Sequence, residues 1–306
     1  MGVSIGLVPI TETTGDLSSL MSAADSACFA AKDRGRNRVY VHQPDDTDLQ
    51  QRKEEMHWLN RLHQTLAHDR LCLYYQPIVP LGQSTTDGTR GEILLRLIDE
   101  RGQVLLPGAF ILAAERYNQM LAIDRWVVRS TLAALGNASP VSAPTRYGIN
   151  VSGQSLSNTE FLYFVTEELD RTSIGPSQIC FEITETAAIA NLAAAMNFIS
   201  TLKDKGCCFA LDDFGSGLSS FAYLKTLPVD FLKIDGRFVK DMVSDPIDCA
   251  MVEAIHRVGH LMGIRTIAES VESQAISEKL KAIGVDYVQG YAIAKPRPFL
   301  EMIEAL

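Results

Sequence analysis

The feature that most constrains the fold is a regular alternation of short apolar runs with helical stretches, which begins near residue 70. NLAAAMNFISTLKDKG (191–206), for example, has helical periodicity and ends at a glycine, where a helix C-cap is expected. Eight runs have the length and composition of strands: LCLYYQPIV (71–79), GEILLRLI (91–98), RYGINVS (146–152), QICFEIT (178–184), CCFALDDF (207–214), DFLKID (230–235), RTIAES (265–270) and DYVQGYAI (286–293).

Eight strands that alternate with helices predict an α/β fold, a TIM-like (β/α)8 barrel of ordinary size. An open, doubly wound sheet is the alternative architecture. No G-x-G-x-x-G sequence follows any of the predicted strands, so the pattern favours the barrel.

The first 43 residues do not belong to this alternation. VSIGLVPI (3–10) is a predicted strand, a helix is expected up to about Lys32, and RGRNRVYVH (34–42) predicts a turn and a second short strand. Two strands and one helix bury too little surface to be stable alone, so we expect a truncated α+β segment of another unit.

A polar stretch, QPDDTDLQQRKEEM (43–56), follows and continues into a helical pattern. We interpret residues 44–60 as a linking helix. The predicted organisation is therefore an N-terminal remnant over 1–43, the linker, and a barrel domain over 61–306.

Composition restricts the partners and the compartment. The net charge is −9 and the pI is near 5.2, so the overall field does not favour a DNA or RNA polymer or an anionic membrane. The six cysteines lack C-x-x-C spacing, which favours reduced, buried thiols. No signal peptide and no apolar run of about 18 residues is evident. We therefore expect a cytoplasmic location for this chain, although a longer parent protein could be anchored.

Polar side chains stand at or near the ends of strand after strand. In a barrel, the carboxyl ends of parallel strands meet at one face, where active sites lie. A single charge at a strand end is more often a solvated cap, but several carboxylates on one rim would repel each other strongly without a counter-charge. The residues in question are Asn150, Glu182, Asp212, Asp213, Lys233, Asp235, Glu269 and Gln289, with Glu92 inside a further strand.

Carboxylate and amide oxygens, with no His or Cys among them, favour a hard cation such as Mg²⁺ or Mn²⁺. The adjacent Asp212 and Asp213 could serve two ions about 4 Å apart, the spacing used in phosphoryl displacement. Lys233 would suit a phosphate oxygen or an attacking water. The residues alone therefore predict metal-assisted hydrolysis of a phosphate ester.

One other pair has metal-ligand spacing. His256 and His260 lie four residues apart in HRVGH, but the glutamate of H-E-x-x-H is lacking. We therefore favour a surface or core-edge helix face over a zinc site.

Residues from about 60 to 300 resemble the EAL-domain family of cyclic di-GMP phosphodiesterases. The resemblance rests on motifs in the family's order and spacing: YYQPIV, EILLRL, INVSGQSL, FEITET, LDDFGSGLSS, LKID, IAESVE and QGY. It implies a (β/α)8 barrel that hydrolyses the bacterial second messenger cyclic di-GMP to linear pGpG by in-line attack of a metal-activated water.

The resemblance also implies a role for each polar residue. Glu92, Asn150, Glu182 and Asp212 would ligate one cation, and Asp212, Asp213 and Glu269 would hold a second. Lys233 would orient the attacking water, so that the catalytic set is Lys233, Glu269, Asp213 and Glu92. Substrate contacts would come from Gln76, Arg96, Asp235 and Gln289, whereas Glu272 would complete the polar shell and Glu185 would hold the loop after Asp213.

Residues 3–42 resemble the final strand–helix–strand of a GGDEF domain, whose signature sequence is absent from this chain. The parent protein would then carry upstream GGDEF and sensory domains. Family resemblance further implies a homodimer with contacts to the loop at 213–220.

The chain departs from the common family pattern at Ile93, Ser216, Leu218 and Ser270. None of these is an expected metal ligand. They could alter pocket packing and loop closure, and so affect the rate more than the activity itself. A catalytically weak or inactive cyclic di-GMP receptor is the alternative function.

Overall fold

The computed structural model describes residues 3–10, 16–33, 37–41, 70–82, 89–137, 145–215 and 221–304. Backbone contacts divide the chain into two compact units, Met1–His68 with Gly108–Tyr117, and Asp69–Pro107 with Asn118–Leu306. The predicted linking helix over 44–60 and most of the loop after Asp213 (216–220) lie outside the described residues. No helix of the described residues is long and apolar enough to span a bilayer.

The smaller unit contains a parallel strand–helix–strand. Strands β1 (Ile5–Leu7) and β2 (Val39–Val41) pair in parallel, and the helix Leu17–Asp33 connects them. Gly6 lies so close to the backbone at Cys28 that a Cβ would collide with it, so a glycine is required where this helix packs on β1. The two strands and the helix expected from residues 3–42 are therefore present.

The larger unit is a closed barrel. Its sheet contains β3 (Leu71–Pro80), β4 (Thr89–Ile98), β5 (Val104–Leu105), β6 (Thr145–Val151), β7 (Ile179–Thr184), β8 (Cys208–Phe214), β9 (Phe231–Ile234), β10 (Arg265–Ala268), β11 (Tyr287–Val288) and β12 (Arg297–Pro298). Strands β3, β4 and β6 to β11 form the closed ring, while β5 and β12 pair at its margin. All eight predicted strands occur, and the predicted barrel is confirmed.

The first strand of the ring differs from the ideal all-parallel arrangement. β3 is antiparallel to both of its neighbours, β4 and β11, whereas the other neighbouring pairs of the ring are parallel. The short connection between Pro80 and Thr89 explains this, since a parallel crossover needs a dozen or more residues. The chain therefore runs along β3 in the direction opposite to that of the other strands of the ring.

The helices of the chain alternate with these strands. Among the described residues, 3₁₀ turns lie at Pro107–Ala109 and Pro176–Gln178, and the described α-helices that follow β2 span Ile111–Arg116, Met120–Asn137, Gly153–Leu156, Thr159–Arg171, Glu185–Ala190, Leu192–Asp204, Phe221–Leu224, Gly236–Asp241, Pro246–Leu261, Gln274–Ile283 and Phe299–Glu304. Side-chain caps mark several starts, such as Asn158, Thr184 and Ser273, whose oxygens accept backbone N–H groups of the first turn.

Candidate active site

The barrel interior changes from apolar to polar in a single step along its strands. One layer is an apolar cluster of Ile78, Cys180, Ala210, Phe231, Ile267 and Tyr287. Because side chains alternate along a strand, the residue two positions further on points to the same interior. In the parallel strands these next residues are Glu182, Asp212, Lys233, Glu269 and Gln289; in the antiparallel β3 the equivalent residue lies two positions earlier and is Gln76. The polar layer is thus a direct consequence of strand register.

Lys233 lies at the centre of this polar layer. Its side chain is buried, and its Nζ lies 2.5 Å from Glu182 Oε2, 2.8 Å from Glu269 Oε1, 3.2 Å from Asp212 Oδ1 and 3.3 Å from Glu92 Oε2. The sequence predicted that cations would compensate these carboxylates. The structure shows that a lysine ammonium also does so, from the base of the site.

Glu92 joins two elements of the rim through hydrogen bonds. Its Oε1 accepts from the Asn150 amide at 2.7 Å, and its Oε2 accepts from the Gln289 amide at 2.8 Å. The Gln289 amide also lies 3.2 Å from Gln76 Oε1, and the Gln76 amide donates to the Ala294 carbonyl at 3.1 Å. The side-chain oxygen of Gln289, by contrast, is buried and has no hydrogen-bond partner among the described residues. This network connects β3, β4, β6 and the segment after β11.

The carboxyl groups have unusual proton affinities because they are buried close together. Burial, with the nearby Glu92 and Asp212 charges, raises the pKa of Glu182 to about 8 despite Lys233. Burial and the charges of Asp212 and Glu92 also raise the pKa of Glu269. For Glu92, burial is outweighed by Lys233 and by the hydrogen bonds from Asn150 and Gln289, so its pKa is lowered. Burial disfavours the charge of Lys233, but the four carboxylates, led by Asp212, raise its pKa.

Asp212, Asp213 and Glu269 form the part of the site that could hold a metal ion. One carboxylate oxygen from each lies within 4.8 Å of the others. Burial, together with the Asp212 and Asp235 charges, raises the pKa of Asp213 to about 6. Four carboxylates therefore contact one ammonium and a fifth, that of Asp213, lies beside Asp212 and Glu269, an excess of negative charge that divalent cations would offset. With oxygen donors only, this donor set fits a hard divalent cation.

The backbone at Asp213 is held in an uncommon conformation. Asp213 has φ +53°, and its N–H donates to Asp212 Oδ1 at 2.9 Å. Glu185, which is fully buried, accepts from the Gly215 N–H at 2.9 Å through one oxygen and from the Tyr223 hydroxyl at 2.5 Å through the other. Glu185 thus joins the turn after Asp213 to the helix Phe221–Leu224. Tyr223 is not among the predicted site residues, because no motif around it in the sequence indicates that its hydroxyl donates a hydrogen bond.

An open pocket of about 350 Å³ gives access to this layer. It is lined by Gln76, Glu92, Lys240, Glu269, Ser270, Glu272, Gln289, Gly290 and Tyr291. Glu272 lies at its exposed margin, where it pairs with Lys240 at 3.3 Å. The structure therefore places Glu272 at the mouth of the pocket and not among the buried carboxylates.

Two expected substrate-binding residues lie outside this lining. The Arg96 guanidinium donates to the Leu95 carbonyl at 2.8 Å and lies 5.5 Å from the centre of the Tyr74 ring. The Asp235 carboxylate accepts from the backbone and guanidinium of Arg237 at 2.8–3.0 Å. Arg96 shares the strand face of Glu92, and Asp235 contributes to the charge around Asp213.

Comparisons with known proteins show the family of the chain. The family model described as EAL domain matches residues 59–296. The chain is 40% identical over 304 residues to the cyclic di-GMP phosphodiesterase PdeB of Shewanella oneidensis, covering 99% of this chain and 35% of that protein. It is 34% identical over 258 residues to the cyclic di-GMP phosphodiesterase PdeF of Escherichia coli, covering 83% of this chain and 34% of that protein.

A solved structure resembles the fold as well. The PaMucR phosphodiesterase in its c-di-GMP complex has a TM-score of 0.73 and 30% identity, over 80% of this chain and 99% of that one. The chain spans about a third of the length of the two curated relatives named above. Since the family model covers well over half of the residues, the chain belongs to the EAL domain family.

Proposed function

We propose that this chain is a divalent-metal-dependent phosphodiesterase that hydrolyses cyclic di-GMP to linear pGpG. The observation that carries the proposal is the arrangement of Glu92, Glu182, Asp212 and Glu269 around Lys233, next to Asp213, at the base of an open pocket. The named relatives are cyclic di-GMP phosphodiesterases, which supports the same reaction and substrate.

Two cations, Mg²⁺ or Mn²⁺, fit the oxygen donors. Glu92, Asn150, Glu182 and Asp212 would hold one of them, and Asp212, Asp213 and Glu269 the other. When bound, the cations would supply a more acidic water and positive charge for the phosphate. An acidic chain can bind an anionic dinucleotide in this way, because the cations reverse the local field.

The chain's own residues would position the reactants. Lys233, held by four carboxylates, would orient the attacking water with its ammonium hydrogens. Gln76, Arg96, Asp235 and Gln289 would contact the nucleotide, with Arg96 at a phosphate. Glu185 would maintain the turn that carries Asp213, and Glu272 would extend the polar wall at the pocket mouth.

The test is a turnover assay that follows pGpG with Mg²⁺, Mn²⁺ and Ca²⁺ compared. We expect turnover with Mg²⁺ or Mn²⁺ and little with Ca²⁺, which is larger and less polarising. Glu92→Ala and Asp212→Asn should abolish turnover, whereas Glu167→Gln, which changes an exposed carboxylate paired with Arg171, should not. Intact cyclic di-GMP after hours with Mn²⁺ would contradict the proposal. If calorimetry then showed tight binding of the dinucleotide, the chain would be a receptor.

We further infer that residues 1–43 are the end of a GGDEF domain in a longer protein with upstream sensory domains, of which this chain is a cytoplasmic part. We also infer that the barrel forms a homodimer. The parallel strand–helix–strand of the smaller unit supports the first inference. Light scattering of the purified chain, combined with the turnover assay, tests the second. A fully active monomer would contradict it.

A further inference from the structure

A second cavity lies between the helices Pro246–Leu261 and Gln274–Ile283. Its volume is about 540 Å³, and it shares no lining residue with the acidic pocket. His256 and His260 line it from successive turns of the first helix, with their ring centres 5.9 Å apart. The sequence favoured a surface or core-edge helix face over a zinc site for these histidines. In the structure, however, the His256 ring makes a side-chain hydrogen bond.

The His256 ring is held by a chain of hydrogen bonds. Its Nδ1 lies 2.8 Å from the Thr266 hydroxyl, which in turn lies 3.1 Å from Asp286 Oδ2. An ionised carboxylate can only accept, so the single hydroxyl hydrogen points to Asp286 and the hydroxyl accepts from Nδ1–H of His256. In the neutral ring, this leaves the lone pair on Nε2.

The space beside its free ring nitrogen also favours His256 as a ligand. Its Nε2 lies beside Gly284, which has φ +99° and ends the helix Gln274–Ile283. A Cβ at position 284 would stand 3.5 Å from Nε2, so the glycine leaves space at this nitrogen.

We propose that His256 and His260 bind a transition-metal dication such as Zn²⁺ or Cu²⁺ at this cavity, separately from the oxygen-only site in the barrel. Two imidazoles at about 2.0–2.1 Å from one Zn²⁺ place their ring centres roughly 5–6 Å apart, which agrees with the separation here. Metal-binding histidines are commonly oriented by a hydrogen bond from their other ring nitrogen, and the Thr266–Asp286 pair provides such a partner for His256.

The charges around the cavity are mixed. Glu253 lies one turn before His256 and lines the same cavity, where its negative charge favours a cation. Arg257 and Lys279 oppose a cation, but the Lys279 ammonium donates to the Met242 carbonyl at 2.6 Å. The last turn of the helix Pro246–Leu261, which contains His260, carries the negative end of the helix dipole.

Electron paramagnetic resonance of Cu²⁺ bound to the full chain tests this site, with excess Mg²⁺ present to occupy the carboxylates. We expect hyperfine coupling to two imidazole nitrogens, which the carboxylates cannot produce. His256→Ala and His260→Ala should each remove the two-nitrogen signal, and Arg257→Gln, on the same helix, should keep it. The chain has four other histidines, so a signal that survives in both alanine variants, or is absent from the wild type, overturns the proposal.

A second pair of variants tests the role of Thr266. Thr266→Val should lower the affinity for Zn²⁺ about 10–100-fold, as measured by calorimetry in excess Mg²⁺, while Thr266→Ser should restore it. Equal affinities for the two variants would contradict the hydrogen-bond chain. If inorganic phosphate bound in place of Zn²⁺, Arg257 and Lys279 would define an anion site and the metal proposal would be wrong. None of these readouts depends on turnover of cyclic di-GMP.

Discussion

The Nζ of Lys233 lies 2.5 Å from Oε2 of Glu182, and both side chains are almost wholly excluded from solvent. Removal of one partner from a buried ion pair leaves an uncompensated charge, which costs about 3–5 kcal/mol. We expect Lys233→Met to lower the free energy of unfolding by this amount when divalent cations are chelated. Added Mg²⁺ should recover more stability in the variant than in the wild type. Urea unfolding with chelator and with Mg²⁺ measures both, and an equal response of the two proteins would contradict the central role of Lys233.

Gly148→Ala should disturb the same pair from the neighbouring strand. A Cβ at position 148 would overlap Oε1 of Glu182, which Lys233 prevents from moving away. We expect turnover and Mn²⁺ affinity to fall at least tenfold, in line with the effect of misplaced metal ligands and their supports. Gly82→Ala is the matched control, since no part of the chain that the structure describes lies within 4 Å of a Cβ there. Similar losses in both variants would indicate a general effect of alanine on folding.

Asp213→Asn should weaken one cation site and spare the other. Asparagine has the shape of aspartate and tolerates φ +53°. The hydrogen bond to Asp212 comes from the backbone N–H of residue 213, so it does not depend on the side chain that is changed. Calorimetry with Mn²⁺ should show two binding events in the wild type and one in Asp213→Asn. The matched control Asp204→Asn, which changes an exposed carboxylate, should show two events like the wild type. Two unchanged events in Asp213→Asn would remove Asp213 from the set of metal ligands.

Ser270→Gly should stabilise the chain. Ser270 has φ +53°, and strain of this kind costs of order 1–3 kcal/mol in a residue other than glycine. Because glycine also gains freedom in the unfolded chain, the net gain should be about 1 kcal/mol. Asn118→Gly, at φ +55°, should gain less, since asparagine tolerates this conformation. Thermal unfolding of both variants provides the comparison, and a loss of stability in Ser270→Gly would show that its packing against Gly236 matters more than strain.

Tyr223→Phe should reduce activity by removing a donor from Glu185. A hydrogen bond to a charged group contributes about 1.5–3 kcal/mol, and here the donor lies 2.5 Å from a buried carboxylate that also holds Gly215. We expect lower stability and weaker Mn²⁺ binding at Asp213, with the exposed Tyr163→Phe as control. Normal Mn²⁺ binding in a destabilised Tyr223→Phe would restrict this tyrosine to a structural role.

Most of the barrel could be predicted from the sequence, because its inward side chains follow a period of two and its strands end in polar residues. The site residues Glu92, Glu182, Asp212 and Glu269 converge for that reason. The position of Lys233 among all four carboxylates depends on the register between neighbouring strands. The sequence of a single strand does not determine that register. Tyr223 could not be predicted, since its partner Glu185 lies 38 residues earlier in the chain.

Two differences between the predicted and the observed strands have clear physical origins. The antiparallel direction of β3 was accessible from the sequence, because the predicted strands 71–79 and 91–98 are too close for a crossover helix. The predicted strand 286–293 pairs only at Tyr287–Val288. Beyond it Gly290 lies against the backbone of Val271, a close approach that ends regular pairing and that the residue pattern does not reveal.

The reversed first strand also determines where the barrel is entered. Leu71 pairs with Leu97, near the carboxyl end of β4, so β3 begins at the rim that carries the carboxylates. In an all-parallel barrel the first strand would begin at the opposite end. A domain fused in place of the residues before Arg70 would therefore be tethered at the rim of the acidic pocket, so the length of that tether becomes a variable by which an engineered sensor could gain access to the site.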